Sequence, residues 1–173
     1  MLPGPSTPIH GVAVAVAIDA DGPLAGLLLL GPAGVGKTTL ALALAGGCPW
    51  RRARLVADDA VLRDVAGGRI VARPPQPLAG RVELRGFGPA ATLTLDRVAL
   101  TAVFDVEKSA PRVQDPAAFP IGEPGPTIPR YAFDVSAVAP AARAREALRA
   151  ITSGQFDEAG HHAFRTAEGP SKS

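Results

Sequence analysis

The stretch Gly31–Thr38 reads GPAGVGKT. This is G-x-x-x-x-G-K-[ST], the phosphate-binding loop. It follows the apolar run Leu24–Leu30, LAGLLLL, and precedes Thr39–Ala45, a segment of strong helix formers. Strand, glycine-rich loop and helix form the setting in which this motif has a mechanism. Gly31, Gly34 and Gly36 allow the main chain to approach an anion closely. Pro32, Ala33 and Val35 carry the chain between them, so that backbone N–H groups point inward at phosphate oxygens. The helix N-terminus, entered at Lys37, Thr38 and Thr39, adds a partial positive charge. Lys37 is expected to reach the β/γ-phosphates, and the Thr38 hydroxyl to sit on Mg²⁺. This is a nucleotide phosphate site.

The rest of the composition limits what surrounds it. At 173 residues the chain is most naturally one domain with a sizeable core. Its apolar content is 47%, carried by Ala, Val and Leu, with only 5% aromatic residues. Net charge is +2 and the basic residues are scattered, apart from Arg51, Arg52 and Arg54. That balance makes no electrostatic case for nucleic acid, and the arginine trio reads as a solvated helix-to-strand connection. The single cysteine, Cys48, excludes an internal disulfide and fits a reducing cytosol. Its position after Gly46-Gly47 suits a small buried residue. The longest apolar run is too short to span a bilayer, and the N-terminus lacks a signal-peptide pattern. A soluble cytoplasmic protein without a membrane partner is expected.

Read outward from the loop, Met1–Pro8 is a proline-rich, flexible lead-in, and Ile9–Ile18, IHGVAVAVAI, alternates like a strand. Asp19–Pro23 is a turn. The connection to Leu24–Leu30 is too short for a parallel crossover, so the two strands should be antiparallel. After the helix, which should stop near Ala45 before Gly46-Gly47, Arg54–Ala57 forms a short strand that delivers Asp58-Asp59. Ala60–Val65 and Arg69–Ala72 flank Gly67-Gly68 as a hairpin. Leu78–Gly88, LAGRVELRGFG, reads as extended, with Glu83 and Arg85 on one side. Leu93–Leu95, Val98–Val106 and Tyr131–Val135 are strand candidates, Glu107–Pro129 a long loop and Ala141–Ile151 a helix. Thr152–Ser173 reads as a polar, partly disordered tail, so the catalytic unit is residues 9–151.

A phosphate loop does not by itself separate kinase, hydrolase and sensor, so the carboxylates have to decide. Asp58 and Asp59 are adjacent on an extended chain and cannot point the same way. One can face a metal or nucleophile while the other orients its neighbours. A single carboxylate near the γ-phosphate suffices to accept a hydroxyl proton. Glu83 is either a Mg²⁺ ligand or an exposed strand glutamate. Arg85 is placed to neutralise phosphoryl charge. Asp105 is either the acidic strand end that holds metal-bound water or an ordinary strand-end residue. His10 lies at the mouth of the first strand, and His161-His162 in the tail read as solvated.

Taken together these residues resemble the catalytic domain of the HPr kinase/phosphorylase family, which phosphorylates a serine of the phosphocarrier HPr. The resemblance runs through IHG (Ile9–Gly11), GPAGVGKTTLALAL (Gly31–Leu44), RLVADDAVL (Arg54–Leu62) and VELRGFG (Val82–Gly88). It extends to FDVSAVAPAARAREAL (Phe133–Leu148), which resembles the family's C-terminal segment. The opening of the chain directly on this segment resembles the short forms found in alphaproteobacteria. The resemblance implies an α/β P-loop kinase domain akin to phosphoenolpyruvate carboxykinase, a mixed sheet with antiparallel strands and few helices. It implies ATP and Mg²⁺ as cofactors, an HPr-type carrier as substrate and a hexamer.

On that pattern Lys37 matches the loop lysine, Thr38 the hydroxyl on Mg²⁺, and Glu83 a metal-binding glutamate. Asp58-Asp59 match the acidic pair that supplies the proton acceptor, and His10 the histidine that supports it. The chain departs from the family in having Thr at 38 where Ser is usual, which keeps the hydroxyl. It also has Pro89-Ala90-Ala91 in place of an apolar continuation. Ala141-Ala142 stand where a basic residue is expected, with Arg143 one step later, which supports the kinase direction better than phosphorolysis. The expected activity is therefore an ATP/Mg²⁺-dependent protein-serine kinase. The alternatives are a related kinase with another hydroxyl substrate and a non-catalytic ATP sensor.

Overall fold

The computed structural model describes residues 7–76, 80–84, 86–121 and 124–156. Its centre is the strand pair that leads into the phosphate loop. The alternation of Val and Ala in β2 (Val12–Val16) sends the three valines to one face and the two alanines to the other, and all five are buried. β3 (Ala25–Leu30) runs antiparallel beside it, with Val14 opposite Leu27, as the short Asp19–Pro23 turn requires. Leu27 and Leu29 join the valine face, Leu28 the alanine face. A strand buried on both sides reads as continuous apolar sequence, which is the pattern of both.

The expected first strand is in fact two. β1 (Ile9–His10) separates from β2 at Gly11 and pairs antiparallel with β5 (Ala60–Ala66), with His10 opposite Ala60. β2 instead pairs with β3 and with β4 (Arg54–Ala57). β5 turns at Gly67-Gly68 into β6 (Arg69–Arg73) as the expected hairpin. β9 (Val98–Glu107) lies parallel to β3, and β11 (Thr127–Asp134) parallel to β9. Nine strands form one mixed sheet in the order β1-β5-β6-β9-β3-β2-β4, with β11 also against β9 and β10 (Ala117–Pro120) outside it.

A register shift sits between Gly26 and Leu27, where Leu27 pairs with Ala102 although Gly26 pairs with Leu100. The extra residue on β9 changes the face of everything beyond it. Leu100 therefore packs with the alanine face, and Ala102, Phe104 and Val106 with the valine face.

The described chain has two α-helices, α1 (Lys37–Gly46) and α2 (Pro140–Ser153), and both cover the valine face. Leu40, Ala41 and Leu44 of α1 and Ala144 and Leu148 of α2 are their buried contacts. Phe104 stacks on Phe133 in the same layer at 5.0 Å between ring centres. The opposite face is closed by the curl of the sheet itself, through Val61, Ile70 and Ala72 of the β5–β6 hairpin, Phe119 and Ile128. The expected fold class, a mixed sheet with antiparallel strands and few helices, is the one observed.

Four local expectations need correction. Leu78–Gly88 is not a single extended segment, because β7 (Arg81–Leu84) reverses through a turn at Gly86-Phe87 into β8 (Gly88–Ala91). The long loop Glu107–Pro129 contains β10 and the start of β11, because Phe119 and Ile128 are apolar enough to join the core. Leu93–Leu95 makes only an isolated bridge, Leu55 to Thr94. α2 also extends into the expected tail as far as Ser153, where Gly154 ends it. Cys48 is buried as expected, and Arg52 donates to the carbonyls of Asp19 and Gly22 rather than standing free in solvent. Met1–Ser6 of the lead-in, Arg85, His161-His162 and the tail beyond Phe156 lie outside the described residues.

Candidate active site

Gly31 begins the loop with φ 134°, and a Cβ there would meet the Val106 carbonyl oxygen at 2.5 Å. Only glycine fits where the loop passes so close to β9. Gly36 caps α1 in a left-handed conformation without a side-chain cap, and the first turn of the helix carries no acidic residue. Its N-terminal N–H groups and partial positive charge are thus uncompensated by the protein, as an anion site needs.

Lys37 is 6% exposed and folds back over the loop, with Nζ donating to the carbonyls of Gly31 at 2.8 Å and Pro32 at 2.9 Å. Burial holds its ammonium below the ordinary lysine value, with Asp59 and then Asp58 pulling the other way. A buried ammonium next to an uncapped helix end is attractive to a polyphosphate.

The two carboxylates at the end of β4 diverge. Asp59 has φ 69°, and the kink is closed by a hydrogen bond from the Ala60 N–H to the Asp58 carbonyl at 2.9 Å. A non-glycine residue held in this region is strained and persists only where its surroundings impose it. Asp58 turns inward, its Oδ1 accepting from Thr38 Oγ1 at 2.8 Å and its Oδ2 from the Glu83 N–H at 3.2 Å. Asp59 turns outward to His10, whose Nδ1 lies 3.1 Å from its Oδ1. The β1–β5 pairing brings His10 there, aided by the Gly11 N–H donating to the Asp59 carbonyl at 3.0 Å.

These groups line one cavity of about 500 Å³. Its floor is the loop and the start of α1, including Ala33, Gly34, Gly36, Lys37, Thr38 and Thr39. His10, Asp58, Asp59 and Glu83 also line it. Leu42, Val12, Leu84 and Phe87 form apolar walls. Sequence reasoning missed these walls, although an aromatic residue between Gly86 and Gly88 is a signal of display at a turn. Asp105 is not in the cavity. It is bound through both oxygens by Arg130 on β11, at 2.6 Å to Nε and 2.8 Å to Nη2.

Among the described residues no group of three or more His, Cys, Asp or Glu side chains forms a ready metal cage. What the cavity offers is a hydroxyl tied to one carboxylate, a second acidic residue and an anion site beside them. Mg²⁺ is commonly held by one or two carboxylates together with substrate phosphates. The donor set at Thr38, Asp58 and Glu83 fits that chemistry.

Comparison with known proteins gives the arrangement its relatives. Over 92 residues, 53% of this chain, it is 39% identical to the HPr kinase/phosphorylase of Clostridium beijerinckii, covering 27% of that protein. Over 103 residues it is 36% identical to the HPr kinase/phosphorylase of Clostridium tetani, covering 60% of this chain and 30% of that one. Over these segments the chain is similar to the HPr kinase/phosphorylases. Its fold is also that of a solved HPr(Ser) kinase/phosphatase from Coxiella burnetii, with a TM-score of 0.68 over 86% of this chain and 98% of that chain, at 16% identity. No family model matches. The matches span 27% and 30% of the length of these two Clostridium proteins. No helix among the described residues is long and apolar enough to cross a membrane.

Proposed function

We propose that this chain transfers the γ-phosphoryl group of ATP, with Mg²⁺, to a serine of an HPr-type phosphocarrier. The observation that carries the reading is the division of labour between adjacent carboxylates at one cavity. Asp58 is engaged with the loop hydroxyl of Thr38, and Asp59 with His10. The loop and Lys37 bind the phosphates. Thr38, Asp58 and Glu83 would hold Mg²⁺, which when bound neutralises phosphate charge and orients the β- and γ-oxygens.

Asp59 is the residue we assign to accept the serine proton. The serine oxygen forms its bond to the γ-phosphorus as the bond from that phosphorus to the β–γ bridging oxygen breaks, and ADP leaves with the electron pair. His10 holds the Asp59 carboxylate toward the acceptor. Arg85, next along the chain from Leu84, is assigned as an additional charge stabiliser. Most of the catalysis in such transfers comes from positioning and electrostatics. The setting is the cytoplasm, and the assembly a homo-oligomer, as the resemblance implies.

The test is transfer of labelled γ-phosphate from ATP/Mg²⁺ to an HPr-type carrier of the same cell, with Lys37→Ala as control. Labelling on serine, lost in the variant, supports the reading, and addition of phosphate then tests the reverse reaction. A second reading, transfer to another hydroxyl acceptor, is favoured by the Pro89-Ala90-Ala91 departure in β8. It predicts intact ATP binding with no label on the carrier. ATP binding with no transfer to any cellular acceptor would leave a sensor.

A further inference from the structure

Phe87 is 93% exposed, although the core of this protein has few aromatic residues to spare. It sits at the tip of the β7–β8 hairpin between Gly86, φ 84°, and Gly88, φ 108°. The turn is closed by its own N–H donating to the Leu84 carbonyl at 2.9 Å. Val82, Leu84 and Ala90 root the hairpin on the valine-face core, so the ring is held out rather than left without a support. Phe87 and Leu84 line the same cavity as His10 and Asp59.

We propose that Phe87 is the residue through which this site docks a protein acceptor, receiving an apolar patch beside the acceptor hydroxyl. The inference rests on the phosphoryl-transfer reading above. Direction decides between acceptor and nucleotide. The phosphates lie along the loop, and their transferring end must face Asp58 and Asp59, so the nucleoside leaves toward the other side. The hairpin is tied to the carboxylate side, by the Glu83 N–H on Asp58 Oδ2. Its tip therefore borders the entry of the hydroxyl, not the exit of the base. A folded protein sets far more apolar surface around an exposed phenyl ring than a small hydroxyl compound does. Glu83 and Asp59, both exposed, line the same cavity as the ring, so the matching patch is apolar with a lysine or arginine at its border.

An exposed aromatic on a hairpin rooted in the core is the kind of residue that dominates a protein interface. Steady-state transfer from ATP/Mg²⁺ to the HPr-type carrier, with the full chain and its Phe87→Ala and Phe87→Leu variants, tests the assignment. Phe87→Ala should raise KM for the carrier by about tenfold or more, with a smaller change in kcat and KM for ATP unmoved. Phe87→Leu should recover most of the loss, because bulk and apolarity are what the patch needs. An unchanged carrier KM overturns the proposal, and so does an ATP KM that rises in step, which would put the ring on the nucleobase. A wild-type chain that binds ATP but labels no carrier overturns the acceptor assignment and this inference with it. Labelling by wild type with an indifferent Phe87→Ala overturns this inference alone.

Discussion

Thr38 Oγ1 donates to Asp58 Oδ1 at 2.8 Å, joining the phosphate loop to the end of a strand 20 residues away. The neighbouring Asp59 has no part in that contact and meets His10 instead. Two adjacent acids are thus assigned to different partners by a single kink in the main chain.

That division predicts unequal effects of two conservative substitutions. Asp59→Asn should lower the transfer rate by about 10²–10⁴, the range for loss of a general base, with ATP affinity retained. Asp58→Asn should shift the Mg²⁺ concentration needed for half-maximal activity, since it alters the group that holds Thr38. Single-turnover transfer and a Mg²⁺ titration distinguish them. Equal, mild losses in both would argue against a base at either position.

Lys37→Ala should lower transfer by at least about a hundredfold, as removal of a preorganised charge stabiliser does. The fold should survive, because the lost hydrogen bonds to Gly31 and Pro32 are offset by relief from burying an ammonium. A thermal midpoint within a few degrees of wild type, together with absent labelling, is the expected pair of results.

The core offers a separate test. Phe104 is 1% exposed, stacked on Phe133 and edge-on to Tyr131. Phe104→Ala should cost about 3–5 kcal/mol. That is a large share of the stability of an ordinary domain, and a urea midpoint would report it. A loss below about 1 kcal/mol would mean that the aromatic layer collapses around the cavity more freely than its packing implies.

Alkaline pH should weaken the fold through Tyr131. Burial pushes its hydroxyl up to about 12 from an ordinary 10.0. The folded state therefore keeps a proton that the unfolded state releases, so stability is complete below about pH 10 and falls as pH rises toward 12. The loss is on the order of 1–3 kcal/mol. Tyr131→Phe should flatten this limb in denaturant unfolding at several pH values, and an unchanged slope would remove Tyr131 as its source.

The loop, the antiparallel entry strands, the hairpin at Gly67-Gly68 and the burial of Cys48 were all legible in the sequence. Each depends on contiguous residues whose backbone preferences and periodicity are local. The corrections arise where distant segments compete. His10 belongs to a strand of its own because β5 offers it a partner, which the run IHGVAVAVAI does not disclose. The reversal at Gly86-Phe87 is decided by Val82 and Leu84 finding the core, and β10 forms because β11 is there to pair with it.

Asp105 shows the same limit at the level of chemistry. Its place at the end of an apolar strand is compatible with a metal role, but the partner it has in the structure is Arg130, 25 residues on. The turn of Gly31–Thr38 into the helix was determined by the sequence alone, because a short glycine-rich loop carries its own geometry. The pairing of Asp58 with Thr38 and of Asp59 with His10 was decided only by the tertiary structure. Hydrogen bonds between segments far apart in the chain exist only once the sheet has closed around them.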